Sequence, residues 1–218
     1  MEYRNEQKFF MSANTAHILR RRVSAVMRPD IHSGGAYVVN NLYLDDQYDS
    51  FLHDKLSGSF SRVKYRIRFY NGDLSFIRLE RKRKDGDLSF KESAVITEDE
   101  YRLFARGDLD FAVSSPHPLL QKVAVLHRLR RLRPTAAFSY TREAYIYGPG
   151  NVRVTFDSAL RPDGPARPAN RGDPPGAGGM LEVKFDRFLP DVIGGLLHGT
   201  PLARTEMSKY YCARERKI

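Results

Sequence analysis

The sequence predicts an α+β fold: about eight mostly antiparallel strands in one sheet or barrel, with amphipathic helices packed on the outside. Three observations predict it. Several segments alternate apolar and charged residues with period two. Turns rather than long crossovers join most of them. The segments between them repeat apolar residues at helical spacing, and such stripes need a sheet to cover.

Tyr3 to Phe10 is the first strand, and alternation places Arg4, Glu6 and Lys8 on one face. A helix follows over Thr15 to Met27, with Leu19, Val23, Val26 and Met27 on one stripe behind an Asn14 or Thr15 cap. Tyr37 to Leu44 is the second strand. Ser61 to Tyr70 alternates strictly, setting Val63, Tyr65, Ile67 and Phe69 against Arg62, Lys64, Arg66 and Arg68. Asn71-Gly72-Asp73 is a hairpin signal leading into a strand over Leu74 to Lys84. Its even positions group Arg78, Glu80, Lys82 and Lys84, with Ile77 and Leu79 on the other side. Asp85-Gly86-Asp87 turns into a strand over Leu88 to Ile96 that carries Lys91.

Thr97-Glu98-Asp99-Glu100 is a capping box, and Gly107 closes the helix it starts. Pro118 to Leu132 places Leu119, Val123 and Leu126 on one stripe and ends in arginines that suit a helix C-terminus. Three strands complete the set: Ala136 to Tyr147, Asn151 to Asp157, and Leu181 to Phe185. The first groups Phe138, Tyr140 and Arg142. The second sets Val152, Val154 and Phe156 against Arg153, Thr155 and Asp157. Between the last two lies a loop, residues 161–179, in which ten of nineteen residues are Gly or Pro. Nothing in it can bury a face, so it is expected to be flexible and to interrupt a strand pair rather than link domains.

A chain of 218 residues with 13 Phe and 12 Tyr can bury a sizeable core without staples. The lone Cys212 excludes an intramolecular disulfide and a cysteine-based zinc site. No run approaches a membrane span, and the N-terminal residues lack a signal peptide, so the expectation is a soluble, cytoplasmic protein. No Walker-type loop, dinucleotide fingerprint or histidine cluster is present.

The 36 Lys and Arg outnumber 26 Asp and Glu, a formal charge of +10. Alternating charges are ordinarily a solvated sheet face. Clustering argues otherwise, because two unit charges ~6 Å apart repel by about 3 kcal/mol at an effective dielectric of 20. A face holding Arg66, Arg68, Lys82, Lys91, Arg142 and Arg153 offers few carboxylates to cancel such repulsion, and a polyanion would. Glu6, Glu80 and Glu182 alternate with these cations. Each could balance charge, or together with phosphate oxygens hold Mg²⁺ or Mn²⁺.

In order along the chain, Arg4-Asn5-Glu6-Gln7-Lys8, Tyr65-Arg66-Ile67-Arg68-Phe69-Tyr70, Leu79-Glu80-Arg81-Lys82 with Lys91, Tyr140-Thr141-Arg142, Val152-Arg153-Val154-Thr155-Phe156-Asp157, Leu181-Glu182-Val183-Lys184-Phe185 and Ser208-Lys209-Tyr210 form a series. That series resembles the VTC domain, the catalytic domain of polyphosphate polymerase, within the triphosphate tunnel (CYTH-like) superfamily. The resemblance implies that residues 1–218 form a single VTC-type domain, an eight-stranded antiparallel tunnel. It implies that Lys8, Arg66, Arg68, Lys82, Lys91, Arg142, Arg153 and Lys209 bind phosphates, with all but Lys91 and Lys209 also carrying the catalysis. Ser208 would assist them, Tyr140 would lie near the nucleotide end, and Glu182 would hold the metal, Mn²⁺ or Mg²⁺, with Glu6 and Glu80 as alternatives.

The implied partners are ATP, triphosphate and inorganic polyphosphate, not nucleic acid. A separate membrane protein would supply any pore and could bring the chain to the inner face of a membrane. The first strand departs from the wider superfamily, whose pattern there is Glu-x-Glu-x-Lys. Arg4 stands at the first position, the form similar to polyphosphate polymerases. The activities implied are phosphoryl transfer from ATP to polyphosphate, hydrolysis of tripolyphosphate or a nucleoside triphosphate, or polyphosphate binding without turnover.

Overall fold

In the computed structural model, residues 5–31, 35–86, 88–162 and 178–215 are described. Chain order is β1 (Asn5–Met11), α1 (Ala13–Val26), β2 (Arg28–Pro29), β3 (Tyr37–Asp45), α2 (Ser50–Leu56), β4 (Ser61–Tyr70), β5 (Asp73–Asp85), β6 (Leu88–Ile96), α3 (Glu98–Arg106), α4 (Pro118–Arg130), β7 (Arg133–Tyr147), β8 (Val152–Pro162), β9 (Gly179–Phe185), α5 (Asp191–Leu197), β10 (Ala203–Arg204) and α6 (Lys209–Glu215). The expected strands all form, each within a few residues of its alternating segment. Two additional strands, β2 and β10, have two residues each, too few to show alternation.

Local chemistry explains the boundaries. Asn71 and Gly72 both have positive φ, 53° and 72°, the conformation that a two-residue type I′ turn requires. Thr97 and Glu100 form the reciprocal capping box of α3, and Gly107 ends that helix at φ 80°. The cap of α1 is Ser12, not Asn14 or Thr15: its hydroxyl accepts from the Thr15 N–H at 3.1 Å. Of the Gly/Pro-rich loop, residues 163–177 lie outside the described residues. The strands that flank it, β8 and β9, pair antiparallel from Arg153 opposite Lys184 to Asp157 opposite Met180.

The chain divides into two compact units. The first contains β1, α1, β2, β7 from Tyr140 onward, β8, β9, α5 and β10, in strand order β10-β1-β9-β8-β7. Its core joins Leu19, Val23 and Met27 from α1 and its C-cap to Val154, Phe156, Leu181 and Val183 of β8 and β9, with Ile193 of α5. The second contains β3 from Val39, α2, β4, β5, β6, α3, α4, β7 up to Ser139, and α6, in order β7-β3-β4-β5-β6. There Ile67, Ile77, Leu79, Ala94 and Ile96 pack on Phe104 of α3 and Leu119, Leu120 and Val123 of α4. The α+β antiparallel architecture is the expected one. The closed barrel is not reached through hydrogen bonds among the described residues, because the strand order stops at β10 and at β6.

Candidate functional site

In the second unit, register stacks charged residues in rows. Lys64, Lys82 and Lys91 lie directly opposite one another on β4, β5 and β6. The next row is Tyr43, Arg66, Glu80 and Ser93, and the one after it is Asn41, Arg68, Arg78 and Val95. Opposed residues of antiparallel strands share a face. The alternate positions, Ile67, Leu79 and Ala94 among them, are buried under α3 and α4, so the cations occupy the face those helices do not cover.

Glu80 anchors this face at 3% exposure. Its carboxylate accepts from Arg66 Nε and Nη2 at 2.7 and 2.6 Å and from Lys91 Nζ at 2.5 Å. Burial alone would raise its pKa, but Arg66, Arg68 and Lys91 outweigh that and hold it at about 2. Arg68 Nε donates to Asn41 Oδ1 at 3.0 Å, and the Asn41 amide donates to the Phe138 carbonyl at 3.1 Å. Lys209 opens α6 in the same unit, and Cys212 of that helix is buried. Burial pushes that thiol's pKa up, which suits a structural cysteine.

In the first unit the same logic recurs. One face carries the rows Glu6, Lys184 and Arg153, then Lys8, Glu182 and Thr155, then Phe10, Met180 and Asp157. The opposite face is the apolar one under α1. Lys8 pairs with Glu6, while Lys184 Nζ lies 2.7 Å from Glu182 and 3.8 Å from Glu6. Arg142 makes a bidentate bridge to Asp157, Nε at 2.7 Å and Nη2 at 2.8 Å. Burial opposes the charge on Arg142, yet Asp157, Tyr140 and Glu182 hold its pKa well above the ordinary value. The guanidinium lies 5.2 Å from the centroid of the Tyr140 ring, which is only 2% exposed. Arg153 Nη2 reaches Asp30 at 3.0 Å. Ser208 is buried in this unit just before α6.

Arg66, Arg68, Lys82 and Lys91 are therefore brought together in the second unit, and Lys8, Arg142, Arg153, Glu6 and Glu182 in the first. The expectation of too few carboxylates holds in the second unit, where Glu80 alone faces the six cations of these rows, but not in the first. Glu80, Asp157, Asp30, Glu6 and Glu182 each pair with one of the expected cations or its neighbour Lys184. These partners fix the arginines in place.

Among the residues of this network not singled out from sequence as site residues are Asn41, Asp30, Thr155 and Asp157. Alternation already put Thr155 and Asp157 on the face of Arg153. Asp30 and Asn41 carry no local signal, because only the fold brings them to their arginines. Among the described residues, Thr155 Oγ1 and Arg153 Nε are buried without a hydrogen-bond partner. Both lie on the charged face, and an anionic or metal-bound ligand would satisfy them.

No cluster of three or more His, Cys, Asp or Glu exists among the described residues. What is present is a carboxylate pair, Glu6 and Glu182, with the Lys184 ammonium reaching both and the orphan Thr155 hydroxyl in the Glu182 row. A hard divalent cation uses such oxygens, one or two carboxylates supplemented by phosphate. These oxygens are the donor type that a hard divalent cation takes, with Lys8 and Lys184 now on the carboxylates. Glu80 stands in the other unit, without a second carboxylate in its row, and Arg66 and Lys91 both bind it.

In each unit the strands present one face sealed by helices and the other set with oriented cations. The sequence matches the VTC domain over residues 3–216, and the chain belongs to that family. The fold is the α+β triphosphate tunnel fold. It is similar to the PH1819 protein of Pyrococcus horikoshii, with a TM-score of 0.54 and 16% identity over 99% of this chain and 100% of that one. It is also similar to a Bacillus halodurans protein provisionally assigned as an adenylate cyclase, with a TM-score of 0.51 and 14% identity over 90% and 86% of the two chains. No curated protein matches the sequence.

Proposed function

We propose that this protein is a metal-dependent polyphosphate polymerase that moves the terminal phosphoryl group of ATP onto a growing polyphosphate chain. The observation that carries the reading is the helix-free charged face of each unit, with Arg66 fixed by Glu80 and Arg142 by Asp157, on a chain of the VTC family.

Phosphoryl transfer asks little covalent chemistry of a protein; positioning and charge neutralisation carry it. A terminal phosphate oxygen of the acceptor chain attacks the γ-phosphorus of ATP. The bond to the β,γ-bridging oxygen breaks, and its electron pair leaves with ADP. The acceptor oxygen is already ionised, so no side-chain base is needed. Arg66, Arg68, Lys82, Lys91 and Lys209 bind phosphates in the second unit, and Lys8, Arg142, Arg153 and Ser208 in the first. Tyr140 orients Arg142. Glu182, with Glu6, would hold Mn²⁺ or Mg²⁺, which neutralises phosphoryl oxygens when bound. Among the described residues no helix is long and apolar enough to cross a membrane.

The test is phosphorus NMR of the protein with ATP and Mn²⁺ or Mg²⁺. The expected result is ADP in excess of orthophosphate, the difference appearing as polymer, with pyrophosphate primers shortening any lag. Equal ADP and orthophosphate without polymer would replace the reading by hydrolysis. Saturable tripolyphosphate binding without turnover in either metal would replace it by a binding module.

A further inference from the structure

We infer that Phe76 and Arg78, at one end of the cationic face of the second unit, form the subsite for the nucleobase of the phosphate donor. The inference rests on the proposed reaction and concerns how ATP is told apart from a bare phosphate chain.

Phe76 stands two residues before Arg78 on β5, so alternation places it on the face of Arg78, Glu80 and Lys82, away from α3 and α4. A phenyl ring there covers no core, and it is 43% exposed. The Arg78 guanidinium lies 4.6 Å from the ring centroid. Arg66, Arg142, Arg153 and Arg214 all have carboxylate partners, whereas among the described residues Arg78 has none. Its donors remain for an anion, and the contact holds the ring in a fixed orientation. Val95, directly across β6 from Arg78, is 63% exposed and adds a second apolar surface.

A flat, weakly polar ring next to a cation ladder is what a nucleotide requires. At about 3.3 Å per residue, Phe76 is roughly 7 Å along β5 from Arg78, 13 Å from Glu80 and 20 Å from Lys82. A base stacked on Phe76 would set its closely spaced phosphates beside the rows of Arg68 and Arg78 and of Arg66 and Glu80, leaving the farther row of Lys64, Lys82 and Lys91 for the acceptor chain. Tyr140, the aromatic residue the family resemblance suggested for the nucleotide end, is buried under Arg142 and offers no open ring face. Base stacking on an aromatic side chain tolerates any base, so this subsite would recognise a nucleoside triphosphate without strict preference for adenine.

The test is calorimetric titration with ATP, GTP and tripolyphosphate, each with Mg²⁺, on the wild type, Phe76→Ala and Phe76→Tyr. The expected result is a roughly tenfold rise in Kd for both nucleotides in Phe76→Ala, an unchanged Kd for tripolyphosphate, and wild-type behaviour in Phe76→Tyr. Unchanged nucleotide affinity in Phe76→Ala would overturn the assignment. An equal loss for all three ligands would overturn it too, because the ring would then be structural. A wild type that binds none of the three would instead remove the proposed function, and the subsite with it.

Discussion

Glu80 concentrates the electrostatics of the cationic face in one buried carboxylate. Its pKa of about 2 in the folded protein lies below the ordinary 4.5. A depressed carboxylate pKa means stability that is fully present above the unfolded value and lost as pH falls toward the folded one. The window is therefore about pH 4.5 to 2, and the difference corresponds to about 3 kcal/mol. Glu80→Gln should destabilise the protein at neutral pH by a similar order, since Arg66 and Lys91 lose their shared counter-charge. Across pH 4.5 to 2 its stability should fall less steeply than the wild type's, as read by urea unfolding. Equal slopes would mean that Glu80 is not the carboxylate that titrates there. Arg66→Ala is expected to weaken phosphate binding, but removing it also strips Glu80 of a partner, so it should not gain the stability that relief of simple cation repulsion would bring.

At the scale of elements, α6 is seven residues long, too short to persist by helical propensity alone. Tertiary bonds hold it instead. The Tyr210 hydroxyl donates to the buried Asp45, which also accepts from the Asp46, Phe51 and Leu52 N–H groups. Arg214 makes a bidentate bridge to Asp49, with Nη1 at 2.7 Å and Nη2 at 2.6 Å. Burial and the Asp45 carboxylate push the Tyr210 pKa far up, so this bond does not ionise in the physiological range. Tyr210→Phe removes a donor and leaves a buried carboxylate oxygen short of one bond, at a cost of about 1–3 kcal/mol. Amide hydrogen exchange in α6 should accelerate. Tripolyphosphate affinity should fall several-fold if Lys209 needs this anchor, whereas unchanged affinity would separate α6 from the phosphate site.

For the whole molecule, a charge of +10 and the proposed phosphate site make ligand and fold mutually dependent. A ligand that binds only the native state stabilises it by about 2.7 kcal/mol at a hundredfold excess over Kd. Tripolyphosphate should therefore raise the Tm by several degrees at low salt. The rise should shrink as NaCl is increased, since exposed charges are screened beyond a Debye length of about 8 Å at physiological ionic strength. A Tm increase that does not respond to salt would locate binding away from the cationic faces.

Composition and local pattern by themselves determined the α+β class, all eight longer strands, the type I′ hairpin at Asn71-Gly72 and the capping box of α3. Those features depend on residues close in sequence, where period, turn conformation and cap chemistry act directly. The separation of apolar from charged faces was legible for the same reason: in β4, β5 and β8, alternation alone decides which side chains share a side. Only the tertiary structure decided which charges meet. Glu80 lies between Arg66 and Lys91, Asp30 reaches Arg153, and Asp45 holds Tyr210 from 165 residues away. It also decided that carboxylates hold several of the cations in place and that Phe76 remains exposed beside Arg78. Pairing across strands depends on register and packing between distant segments, and one strand's sequence contains no term for its partner.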